Sequence, residues 1–324
     1  MMTMIKKHWF LLGLFAVFSM TLLDNTEFVS LAGIWCKSHN GANTAIFIIF
    51  LISGLLLDAG QIKSGIKNVK SIFLSLILIF MAAPAIAVFF GMSSLDIGIK
   101  IGIILVAIMP TTLSSGVVMT GAAGGNMAGA LVTTILANSL AVFTVPITLF
   151  ILMGILGITT TASIDNSFIM AKIGLLVLLP LCLGLTARPN RKINPVIRRY
   201  SIHLQNLNLF LICGIVWMAL SQSKPTIIEN SGDIITVLIC VAVFHGALLA
   251  VGGFIILAFQ LKPGQRESTL LMGCQKTLPL SIILQISLFP QYGIALVVCV
   301  LHHLTQLIID SFVVAKLKKA ASSN

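Results

Sequence analysis

Apolar residues come in blocks of about twenty, the length a helix needs to cross a hydrocarbon slab of roughly 30 Å. Short clusters of Gly, Pro, Asn and charge punctuate the blocks. They predict ten membrane-spanning helices, near residues 8–23, 44–60, 71–92, 97–121, 126–154, 165–187, 204–222, 234–260, 267–288 and 291–315. The first block follows Lys6 and Lys7 in the manner of a secretory signal. Its apolar part, Trp9 to Leu23, ends in Asp24-Asn25-Thr26 with no Ala-x-Ala cleavage site, so it reads as a retained first span.

Composition supports lipid as the solvent. Of 324 residues, 58% are apolar and 9% charged, whereas a soluble domain carries about a quarter charged residues. With a mean hydropathy of +1.08, the apolar side chains exceed what a globular core can hold. A water-soluble domain, a disordered chain and a disulfide scaffold are thereby excluded. Five of the six cysteines lie inside apolar blocks, Cys36 has no partner in a neighbouring loop, and no CxxC pair is present, so they read as small buried residues.

The net charge of +11 would fit a nucleic-acid partner only if the basic residues formed one patch. They are instead spread in small groups between the blocks. With both termini on one side, that side collects fifteen Lys and Arg, in groups at 6–7, 63–70, 188–199, 262–266 and 316–319. The other side has four, Lys37, Lys100, Lys172 and Lys224. Basic loops resist translocation, so both termini are expected in the cytoplasm of a cell whose inner membrane holds the chain. The partners expected are a lipid bilayer and no nucleic acid. Nothing in the residues sets an oligomeric state.

One basic residue, Lys276, fits neither side. It lies in span nine, ten residues or about 15 Å of helix beyond Arg266, which is half the slab. Span nine reads Gly273-Cys274-Gln275-Lys276-Thr277-Leu278-Pro279, and span four reads Met109-Pro110-Thr111-Thr112-Leu113-Ser114-Ser115-Gly116. Each is a polar interruption that breaks a helix near the bilayer centre, where freed backbone groups survive only against protein or a water-filled cavity. The most polar loop, Thr159 to Asn166, divides the chain into 1–158 and 159–324, each with five spans. An odd-numbered unit repeated must insert in opposite orientations, and span four and span nine are then the same member of each half. An ammonium at the midplane costs several kcal/mol on some scales. Either an anion visits it, or backbone carbonyls of the unwound segment satisfy it.

Other polar positions surround these breaks. Gly121, Gly125 and Gly129 have small-xxx-small spacing and read as a tight turn with close packing, since no strand precedes them and GxGxxG is absent. Asn126, Ala130, Thr134 and Asn138 form a stripe at four-residue steps that is expected to line the same cavity. His302, Gln306 and Asp310 share one face of span ten, with His303 beside them and His245 alone in span eight. Such a row can relay protons or can simply hydrogen-bond between helices, with Asp310 solvated near the cytoplasm.

At the two breaks the sequence resembles the bile acid:sodium symporter family, and more closely its sodium/bile acid cotransporter 7-like branch. The resemblance rests on Pro110-Thr-Thr-Leu-Ser-Ser-Gly-Val-Val-Met-Thr120, Gly124-Gly-Asn126 and Gly273-Cys-Gln-Lys-Thr-Leu-Pro279. It implies an all-α membrane protein of ten helices in two inverted five-helix repeats. Spans one, two, six and seven would form a panel and the other six a core, with spans four and nine crossing where they unwind. It also implies sodium-driven uptake of an organic anion. Carried over residue by residue, the sodium ligands match at Ser115, Thr134 and Gln275. The span-four asparagine falls on Gly116 or Val117, the second span-five hydroxyl on Ala130, and the span-three glutamine on Ile79. The acidic ligand falls on Leu271, and the asparagine after the glutamine is Lys276. No carboxylate remains at either ion site, and a fixed ammonium can substitute electrostatically for a bound sodium ion.

The expected activity is secondary transport of a small organic anion, coupled to sodium or to protons, with no cofactor beyond a possible sodium ion. Thr111, Thr112, Ser114, Gln275, Lys276 and Thr277 are the expected solute contacts. Ser115, Thr134, Asn126, Gln275 and Lys276 are the expected ion-coupling residues, and His302, Gln306 and Asp310 a proton relay. An intramembrane serine hydrolase on Ser114 or Ser115 is the alternative from another class. It lacks the glycine two residues before the serine that a GxSG match requires, and the carboxylate cluster of a metal-dependent lipid enzyme is absent too. A regulatory membrane protein without transport is the third.

Overall fold

A chain in lipid satisfies its backbone N–H and C=O groups most simply as helix, and no strand occurs among the described residues. The computed structural model describes residues 2–57, 65, 67–113, 115–158, 166–188, 193–229 and 231–322. In chain order the helices are α1 (Met2–Leu22), α2 (Phe28–Ser38), α3 (Gly41–Leu56) and α4 (Val69–Gly91). Then come α5 (Ile97–Ala107), α6 (Ser115–Ala122), α7 (Met127–Ile155), α8 (Asn166–Ala187) and α9 (Ile193–Glu229). The last four are α10 (Ile234–Ala258), α11 (Gln265–Cys274), α12 (Leu278–Leu288) and α13 (Gly293–Ser322).

Seven stretches of the described residues are long and apolar enough to cross a membrane, α11 and α12 together forming one of them; a bent pair, α2 with α3 at 69°, makes up to eight. The count differs from the ten expected for physical reasons. Span four is cut into α5 and α6, each too short to cross. The second span is preceded by an unforeseen helix, α2. Asp24 starts it, accepting the N–H groups of Val29 and Ser30 and the Thr26 hydroxyl. The Thr26 hydroxyl above all, with these N–H groups, holds the Asp24 carboxyl below its ordinary value. Lys224 of α9 donates to the Asp24 carbonyl at 2.5 Å and ties that turn down. The polar loop 159–165 at the expected repeat boundary lies outside the described residues, as does Ser114.

The helices pack in two groups. In the first, α3 lies between α8 and α9, and α1 and α2 run along α9. Gly54 and Gly184 let α3 and α8 touch: a Cβ on either would come within 2.3 Å of a carbonyl oxygen of the other helix. In the second, α4 packs on α5, α7 and α11, while α13 packs on α5 and α10. The groups meet where α9 touches α12 and α13 and where α7 touches α8.

A π turn interrupts α4 at Leu78–Ala82. The Ala83 N–H reaches back five residues to the Leu78 carbonyl. The next N–H in that register would reach Ile79, but residue 84 is proline and has none. The Ile79 carbonyl is therefore left open inside the protein.

Candidate functional site

Two prolines bracket the breaks. Pro110 cannot continue α5, and residues 109–112 are irregular between α5 and α6. Gln275 and Thr277 are extended, with ψ of 143° and 136°, and α12 restarts with Pro279 in its first turn, where a missing N–H does no harm. The segments touch: the Thr277 N–H donates to the Pro110 carbonyl at 3.0 Å. Gln306 of α13 clasps the Lys276 backbone, accepting its N–H at 3.0 Å and donating to its carbonyl at 2.9 Å. Asn138 of α7 donates to the Thr111 carbonyl at 3.3 Å. The groups freed by unwinding are thus met by protein, as burial demands.

Lys276 is 2% exposed. Its Nζ donates to the carbonyls of Ile79 at 2.8 Å, Ala107 at 2.8 Å and Met109 at 3.0 Å. An ammonium has three donors, and all three are used. Each acceptor is open for a local reason: Ile79 by the π turn and Pro84, Ala107 and Met109 by the end of α5.

The neighbouring side chain turns the other way. Gln275 Oε1 accepts from the hydroxyls of Thr112 at 2.7 Å and Ser115 at 3.2 Å. Its Nε2 donates to Asp310 Oδ2 at 2.8 Å, and Asp310 Oδ1 pairs with His245 Nε2 at 3.0 Å. Asp310 is fully buried rather than solvated. A carboxylate from α13 therefore reaches the break that span nine leaves without one. Sequence reasoning missed this because the pairing joins α10 to α13.

Between the two helix groups lies a cavity of about 620 Å³. Thr112, Ser115 and Thr277 supply hydroxyls at one wall, Ser53, Gln205 and Asn208 polar groups at the other, and His303 a ring; the rest is largely apolar, including Leu113, Val118, Ile212 and Leu307. Among the described residues no Lys, Arg, Asp or Glu lines it. The first residues of α6 and α12 do, so two helix N-termini, each carrying partial positive charge, open on one space. Gln205 and Asn208 went unremarked in the sequence; the signal was polar side chains inside an apolar span.

The expected residues separate accordingly. Thr112, Ser115 and Thr277 line the cavity, and Gln275 lies behind the first two. Thr111 and Lys276 are buried away from it. The expected polar stripe does not line the wall: Thr134 donates to the Ala130 carbonyl of its own helix at 3.0 Å, and Asn126 caps α7 through the Gly129 N–H at 3.0 Å. Nor does the span-ten row bond to itself. Gln306 bonds to Lys276 and to His303, Asp310 to Gln275 and His245, and His302 Nε2 has no hydrogen-bond partner among the described residues. The Ser115 hydroxyl faces an amide rather than a histidine, which leaves it without the general base of a serine hydrolase. Gly124, at φ +81°, makes the tight turn between α6 and α7.

Comparison with known proteins gives a consistent picture. The family model of the SBF-like CPA transporter family (DUF4137) matches residues 8–319. A protein from Oryza sativa subsp. indica described as probable sodium/metabolite cotransporter BASS4, chloroplastic, is 26% identical over 325 residues, covering 95% of this chain and 75% of its own. The Arabidopsis thaliana protein of the same description is 29% identical, covering 82% of this chain and 63% of its own. Sodium/bile acid cotransporter 7 of Danio rerio is 25% identical over 188 residues, 57% of this chain and 54% of its own.

Proposed function

Because this chain belongs to the SBF-like CPA transporter family, a family of membrane transporters and not enzymes, we propose that it carries an organic anion across the membrane by alternating access at the cavity between its two helix groups. The observation that carries the reading is the opening of the N-terminal ends of α6 and α12 on that one cavity. Helix N-termini and the hydroxyls of Thr112, Ser115 and Thr277 offer donors to an anionic head group. With no charged side chain on the wall among the described residues, dipoles and hydroxyls meet the charge, and the apolar remainder takes an organic body. The names of the relatives, metabolite and bile acid cotransporters, fit such a solute.

In this reading the first helix group is the panel and the second the core, and transport is a movement of one against the other. Residues 1–158 and 159–324 are two inverted repeats of five spans, α5 with α6 and α11 with α12 being the broken fourth member of each. The protein sits in the cell membrane with both termini cytoplasmic, as its distribution of Lys and Arg supports. The relatives' names make sodium the first coupling ion to test.

The test is uptake of labelled organic anions into proteoliposomes, with Ile212→Trp as control. Ile212 is on the panel wall of the cavity, and an indole there should lower uptake at least about tenfold by filling the space while leaving yield and thermal midpoint unchanged. Undiminished uptake by that variant would remove the cavity from the mechanism. Absence of uptake for every anion would favour a regulatory protein without transport.

A further inference from the structure

The oxygens around Lys276 are of the kind that hold alkali cations. Hard cations take oxygen ligands, and in transporters the C-terminal ends of broken helices and unwound carbonyls provide them. Ala107 and Met109 lie at the C-terminal end of α5, and Ile79 adds the carbonyl that Pro84 leaves open. The three converge on one point, the ammonium, at 2.8, 2.8 and 3.0 Å. A free sodium ion does not fit there, since every one of these oxygens is taken by the side chain.

We propose that Lys276 is a tethered coupling cation: its ammonium fills a backbone-carbonyl cage of the kind that holds a monovalent ion, so that the solute is bound and moved without sodium. The cage is rigid because helix ends and a proline aim its oxygens, and Gln306 fixes the lysine backbone beside it. The charge that a coupling ion would bring is therefore carried by the chain itself, where the two breaks touch. Only the word coupling rests on the transporter reading; what occupies the cage is a separate matter.

The experiment measures thermal midpoints of purified protein in choline, sodium, potassium and ammonium chloride at equal ionic strength. Wild type should have the same midpoint in all four. Lys276→Ala should be destabilised in choline and recover by about 3 °C or more in sodium or ammonium, saturating with concentration, because an ion that binds only the folded state raises its stability by mass action. Lys276→Met fills the space without charge and should be destabilised with no recovery. A sodium-specific rise in wild type would overturn the proposal, and so would a Lys276→Ala protein indifferent to every cation. Should the alanine protein fail to fold, the wild-type comparison still decides, joined by uptake in sodium against choline: equal rates support the tethered cation, and a strict sodium requirement sinks it. No uptake in either medium would count against the transporter reading, while the midpoints would still report on the cage.

Discussion

Lys276 and Asp310 are both sealed from solvent, and Gln275 is bonded to one through the chain and to the other through space, yet the two are held in opposite ways. Lys276 is held by backbone carbonyls alone. Their directions follow from where helices end, so no rotamer change of a neighbouring side chain can turn them away. Asp310 is held by two side chains, Gln275 and His245, which can rotate. One charge is thus built into the fold and the other is adjustable. The adjustable one connects to the cavity, since the same Gln275 amide accepts the Thr112 and Ser115 hydroxyls.

The largest expected effect removes the fixed charge. Lys276→Met leaves three buried carbonyls without a donor and should lower stability by about 3–5 kcal/mol. Asp310→Asn keeps an acceptor for Gln275 and should lose about 1–2 kcal/mol. Combined, the two should lose at least about 1 kcal/mol less than their sum, because the double variant buries no lone charge. Reversible denaturation in mixed micelles measures all three. Additivity within about 0.5 kcal/mol would mean the two charges do not sense each other, and the contrast between them would be only descriptive.

A smaller effect sharpens the claim that the cation is held by backbone. Gln306→Leu strips a partner from both the N–H and the C=O of Lys276 and should lose about 2–4 kcal/mol. Gln306→Glu keeps the acceptor for the N–H and should fall between it and wild type. Equal stability of the leucine variant and wild type would show that the clasp does not fix the lysine.

The sequence revealed the breaks more completely than the contacts between them. Pro110, Pro279 and the polar residues beside them mark interruptions through local rules, and both interruptions are where expected. Lys276 was conspicuous because a charge in an apolar block has no cheap explanation. Its partners were not legible: Ile79 looks like any apolar residue, and its carbonyl is available only through a π turn followed by Pro84. Asp310 was misjudged for a similar reason. Distance along the helix placed it near water, while His245 and Gln275, from two other helices, enclose it. The helix α2 was passed over because eleven residues are too few to cross a membrane.

The smallest effect tests the origin of the cage. Pro84→Ala restores an N–H one residue beyond Ala83, in register to reach the Ile79 carbonyl that Lys276 now occupies. One donor replaces another, so the stability of the single variant should change by no more than about 1 kcal/mol in either direction. The informative quantity is the loss caused by Lys276→Met in each background. With alanine at position 84, one of the three carbonyls keeps a donor when the ammonium goes, and the loss should shrink by about 1 kcal/mol. An undiminished loss would mean that the proline is not what frees the Ile79 oxygen, and that the third wall of the cage has some other cause.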